Sequence, residues 1–166
     1  LSGSLNLEAA SLTGHYDPLD NPQGSRLKGA IQEACNTAAC VGLASQSMCL
    51  DPSNHHGFWS VTGTYGAFTP LMYVPLRSWS QSTQDAPFKT GVVTILSGHS
   101  GPETASDGRS HFGIFSPGVW NLFPKGKIVN LHLWDYNDVA PAYFGAMEYI
   151  KKNPECSIIG IHIARP

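Results

Sequence analysis

Charge is what this chain of 166 residues has least of: ten Lys and Arg against twelve Asp and Glu, 13% of the sequence, for a formal net charge of −2. So even a balance offers no basic face to a phosphate backbone or an anionic bilayer, which excludes nucleic acid as the expected partner. No apolar run approaches the roughly 20 residues of a membrane span. Neither CxxC nor HxxxH spacing occurs, so no metal site is read from the seven histidines and four cysteines. Gly113, Gly118 and Gly126 lack the spacing of a phosphate-binding loop before a helix, and no cofactor is expected. No leader pattern opens the sequence, so a secreted chain would be the processed form.

What is present suits one domain over residues 1–166, with an N-terminal segment and loop at 1–25 and a globular body at 26–166. Leu1, Leu5, Ala9 and Leu12 recur at near-helical spacing before a Pro- and Asp-rich loop. Arg26 to Leu43 has a helical stripe of Leu27, Ile31, Ala34 or Cys35, Ala38 and Val41. Asp138 is placed as an N-cap for a second helix carrying Val139, Tyr143, Ala146 or Met147, and Ile150, with Lys151 and Lys152 in its last turn and Asn153-Pro154 ending it.

The rest reads as short strands. Phe58 to Phe68 alternates, with Trp59, Val61 and Tyr65 on one side. Leu71 to Leu76 and Gly91 to Leu96 are shorter apolar runs, Pro75 marking the first as an edge, with a polar loop, Arg77 to Asp85, between them. His111 to Ser116 lies between turn residues. Lys127 to Trp134 places Val129, Leu131 and Leu133 on one face, and Ser157 to Ala164 places Ile159, Ile161 and Ile163 inward with His162 opposite. Together these predict a mainly β protein, a β-sandwich of six or more short strands flanked by two α-helices.

Cys35, Cys40, Cys49 and Cys156 are an even number, and two disulfides of undetermined pairing are expected, one able to tie the early helix to the last strand. Gly98-His99-Ser100-Gly101-Pro102 follows an apolar strand in the manner of a nucleophile elbow. Pro102 stands where such a motif wants glycine, however, and His55, His56, Asp51 and Asp85 are only generic partners for a serine hydrolase. The loop Val119 to Pro124 carries Trp120 and Phe123. Either they are exposed and contact a partner, or they fold back over the end of the core.

The run from Ser106 to Ile150 comprises a Ser-Asp-Gly turn, a strand ending Phe115-Ser116-Pro117, an aromatic loop, a strand ending Trp134-Asp135-Tyr136, and a helix with Phe144, Glu148 and Tyr149. With the final strand Ile158 to Ile163, it resembles the lipid-binding half of the actinoporins. The helix from Arg26, Val41-Gly42-Leu43 and the strand with Trp59 and Tyr65 are similar in order. That resemblance implies a secreted β-sandwich of the kind shared with fungal fruit-body lectins, binding a membrane lipid headgroup or a surface glycan. Its ligand would sit among Ser116, Pro117, Trp120, Phe123, Phe144 and Tyr149, and a cytolysin would oligomerise on the membrane. The family's Arg-Gly-Asp is absent here, and the cysteines are foreign to it. Aromatic rings of this kind serve a membrane boundary or stack on sugars, and either use predicts that Trp120 and Tyr149 are at least partly exposed. A viral capsid or spike domain is the structural alternative, and a secreted hydrolase using Ser100 the catalytic one.

Overall fold

The computed structural model describes residues 14–49, 51, 57–84, 86, 89–114 and 116–165. The amphipathic segment 1–12, His55, His56, Asp85 and Phe115 lie outside the described residues. The architecture is α/β, not a mainly β sandwich: one four-stranded, wholly parallel sheet in the order β1-β2-β4-β3, formed by β1 (Trp59–Tyr65), β2 (Val92–Gly98), β3 (Ile128–Leu133) and β4 (Ile158–Ile163).

The two central strands explain the difference. Val-Val-Thr-Ile-Leu of β2 and Ile-Ile-Gly-Ile-His-Ile of β4 are near-continuous apolar runs, the composition of strands covered on both faces rather than one. Every residue of β4 is buried, His162 included. Parallel neighbours also require crossover segments, which these helices supply. β1 leads through α2 (Tyr73–Ser82) to β2, and β3 leads through α3 (Val139–Lys152) to β4.

Two of the expected strands are not strands. Leu71 to Leu76 is divided between a 3-10 helix (Gly66–Met72) and the start of α2, and the expected polar loop after it is helical as far as Ser82. Met72, Leu76 and Trp79, spaced four and three apart, are the buried stripe. Pro75 is tolerated because it falls in the first turn, where its missing N–H would have had no helical acceptor. His111 to Ser116 is turn and irregular backbone where it is described, entering a 3-10 helix at Ser116–Leu122.

The first helix, α1, spans Glu33–Ala44 and turns a different side inward from the one expected. Thr37, Cys40 and Ala44 are buried, while Cys35 and Ala38 are exposed and Ile31, ahead of the helix, lies in solvent. Among the described residues all four cysteines are free thiols, which corrects the expected disulfides. Cys40 belongs to the core on one face of the sheet and Cys156 to the core on the other, so β4 and its neighbours stand between the two sulfurs.

Those two cores define three layers. On the first face, α1, α2 and the segment carrying Trp120 and Phe123 pack over Val93, Ile95 and Ile158. On the second, α3 lays Ala146 and Ile150, flanked by Val139 and Tyr143, onto Val92, Ile159, Ile161 and Ile163. The stripe expected for this helix is the one that packs. Each such aliphatic side chain, fully buried, contributes about 1.5–3 kcal/mol.

Candidate functional site at the carboxyl edge of the sheet

The connection leaving β2 runs outward past β4 to β3, and the connection leaving β3 runs back inward to β4. Such a reversal of strand order opens a crevice beyond the carboxyl ends of the strands, which is where open parallel sheets bind ligands. A cleft of about 330 Å³ lies there. Its walls come from Ile114 and Pro117 of the β2–β3 connection and from Leu133, Trp134 and Ala164 at the ends of β3 and β4, and its polar lining is His132, His162 and Ser100.

Strand register brings the two imidazoles together. His132 pairs with His162 across β3 and β4, on the same face, with ring centroids 5.2 Å apart. His132 is exposed to the cleft, whereas His162 is 2% exposed. The indole N–H of Trp120 donates to Nε2 of His162. Because an indole can only donate, the proton of this neutral ring sits on Nδ1, which faces the Ser100 hydroxyl oxygen at 3.4 Å. Burial, reinforced by the neighbouring His132, pushes the pKa of His162 down to about 3.

That polarity decides what Ser100 can do. Its hydroxyl donates to the Ser97 carbonyl at 3.0 Å, and the nearest imidazole nitrogen is itself a donor. Among the described residues Ser100 therefore has no general base at hand, and its hydroxyl serves as a strut of the cleft floor. Ser97 is also held, its hydroxyl accepting from Thr69 at 2.8 Å. Gly160 makes the arrangement sterically feasible: a Cβ there would meet the Trp120 indole nitrogen at 3.0 Å.

Beside the cleft, at the ends of β1 and β2, lies a second polar group. Among the described residues His99 is the only non-glycine with positive φ, at 54°, a strained backbone of the sort that collects at functional sites. Its ring stacks on Tyr65 at 4.8 Å, and its Nδ1 accepts from Nε of Arg165 at 2.9 Å. Arg165 also donates through both terminal nitrogens to the Asp107 carboxylate and at 2.8 Å to the Tyr65 hydroxyl, which itself donates to Asp107. Glu103 accepts from the backbone N–H of Arg165 at 2.7 Å and of Gly101 at 3.1 Å. The ends of β1, β2 and β4 and the 3-10 helix Pro102–Asp107 are thus tied at one guanidinium.

The residues expected to form a headgroup or glycan site are split by the sheet. Ser116 is buried and donates to the Gly113 carbonyl at 2.6 Å, and Pro117 lines the cleft. Trp120, at 2% exposed, and Phe123 fold back into the first core, contrary to the partial exposure expected of Trp120. Phe144 and Tyr149, at 62% and 48% exposed, stand on α3 on the other side of the sheet. Sequence reasoning set His162 opposite the inward face of its strand but could not pair it with His132, because their meeting depends on the β3–β4 register. No three side chains of the metal-binding kind converge among the described residues, and none of the described helices is long and apolar enough to cross a membrane.

No family model, no curated protein and no solved structure matches the chain. What fold and site define is a class: a three-layer α/β protein with a ligand-sized cleft at the switch point of a parallel sheet.

Proposed function

We propose that this protein binds a small organic molecule in the carboxyl-edge cleft and engages it through the imidazole of His132. The observation that carries the reading is the convergence of His132 and Trp134 from the end of β3, Ser100 from the end of β2 and Ile114 from the β2–β3 connection on one crevice at the place where the strand order reverses. Mostly apolar walls with a few convergent polar groups are the usual composition of a small-molecule site. The exposed Trp134 ring gives an apolar face for stacking. The chemistry open to His132, an imidazole at the wall, is proton transfer to or from the bound molecule. Protein-observed NMR titration with a panel of small neutral compounds (indole, benzamide and a methyl glucoside) tests this. Binding that shifts the His132 and Trp134 resonances and is lost in His132→Ala supports it. Binding to none, or shifts confined to other surfaces, overturns it.

The exposed Phe144 and Tyr149 favour a second reading, attachment to a lipid headgroup or surface glycan through the outer side of α3. Sedimentation with mixed-lipid liposomes tests it. Pelleting that Phe144→Ala reduces would support it, and failure to pellet with any composition removes the lipid form of it.

A further inference from the structure

We propose that Arg165 is the positioning residue of this site, fixing the tautomer and place of His99 and holding the Pro102–Asp107 wall against the end of β4. The proposal rests on the reading of the carboxyl edge as a ligand site. His99 lies beside the cleft, directly before the cleft-lining Ser100, in a backbone conformation that costs free energy and must be maintained from outside.

Two contacts maintain the ring: the Tyr65 face and the Arg165 Nε–H. A guanidinium only donates, so Nδ1 of His99 is an acceptor and the proton of the neutral ring is on Nε2. No hydrogen-bond partner takes Nε2 among the described residues, which leaves an N–H donor held in a fixed direction for a ligand oxygen. Arg165 can hold that direction because it is itself fixed, by Asp107 through two nitrogens, by the Tyr65 hydroxyl, and through its backbone N–H by Glu103. Glu103 in turn binds the Gly101 N–H, and Gly101 and Pro102 line the cleft. Arg165 therefore sets the donor through its side chain and the wall through two links, its guanidinium on Asp107 and its backbone N–H on Glu103. A lysine would keep the charge opposite Asp107 but could not reproduce the fork that reaches Asp107, Tyr65 and His99 together.

Long-range proton–nitrogen NMR of the histidine rings in the full chain tests this, because the structure assigns opposite tautomers to two of them. His99 should carry its proton on Nε2 and His162 on Nδ1. In Arg165→Lys the His99 signals should move to a mixture of tautomers while those of His162, fixed by Trp120, stay unchanged. Any panel compound bound by the native chain should bind about tenfold more weakly in that variant, the worth of one positioning hydrogen bond. Tyr65→Phe removes a hydroxyl but leaves the Nε–Nδ1 bond, and the His99 tautomer should persist. Unchanged His99 signals in both Arg165→Lys and Arg165→Ala would overturn the proposal, as would a native His99 protonated on Nδ1. Should no compound bind the native chain, the ligand-site reading fails, and the tautomers still decide the role of Arg165.

Discussion

The two faces of the sheet are built to different rules. Over the second face, α3 meets Val92, Ile159, Ile161 and Ile163, and the contact is apolar, with Tyr143 and Trp59 packed beside the aliphatic side chains. Over the first, the same strands present Ser60, Ser97 and His162, and what covers them includes an indole, hydroxyls and backbone carbonyls joined by hydrogen bonds. A buried polar network is costly unless each member is satisfied. Its presence on one face only argues that this face is shaped for a task and the other for holding the sheet. The cleft opens at the edge of the polar face, since His132 and His162 both belong to it.

Acid should break the polar face first. His162 is neutral when folded, with a pKa of about 3, and titrates near 6.5 once unfolded. Between those values the unfolded chain binds the extra proton, so stability is complete above about pH 6.5 and falls as pH drops toward 3, by roughly 5 kcal/mol over the whole window. Urea midpoints measured from pH 7 to pH 4 should decline, and His162→Gln should flatten the decline. A native chain whose midpoint is constant over that range would remove the neutral buried imidazole from the account.

Ile159→Ala breaks the other face. A fully buried isoleucine cut to alanine costs about 2–5 kcal/mol through lost transfer free energy and a residual cavity. The loss should be independent of pH, and the His132 ring signals should not move, because the side chain points away from the cleft. Trp120→Phe is the corresponding cut on the polar face. It keeps most of the ring volume but leaves Nε2 of His162 without its donor, at about 1–3 kcal/mol. Unlike Ile159→Ala, it should release the His162 tautomer.

How the two faces read in the sequence differs in the same way. The second face was legible: Val139, Tyr143, Ala146 and Ile150 mark the packed side of α3, and Val129, Leu131 and Leu133 are the strand residues that meet it. The sheet itself was misread because Ile159, Ile161 and Ile163 alternate with His162 as a half-buried strand would. Only the covering of both sides shows that His162 is interior. Leu71 to Leu76 failed for another reason, since so short an apolar run fits strand and helix equally and only the later Trp79 fixes the helical phase. The site was legible as single residues only. Ser100, His132 and His162 stand far apart in sequence, and the registers that pair Ser97 with His162 and His132 with His162 carry no local signature.

The smallest effect is chemical rather than energetic. Burial pushes the Cys40 and Cys156 thiols up from their usual pKa, one in each core, while Cys35 and Cys49 are exposed. Because the thiolate is the reactive form, iodoacetamide on the native chain should label Cys35 and Cys49 within minutes and the other two only after denaturation. Stability should barely change, by less than about 0.5 kcal/mol, since surface groups away from the core carry little. The pattern also separates the two faces kinetically. Cys40 should become reactive on openings that uncover α1, and Cys156 on openings at the α3 face, so labelling in mild urea shows which side yields first. If the polar face is the working one, its openings should be the cheaper, and Cys40 should be modified ahead of Cys156. The reverse order would mean that the apolar face opens more readily, and the division of labour between the two would have to be redrawn.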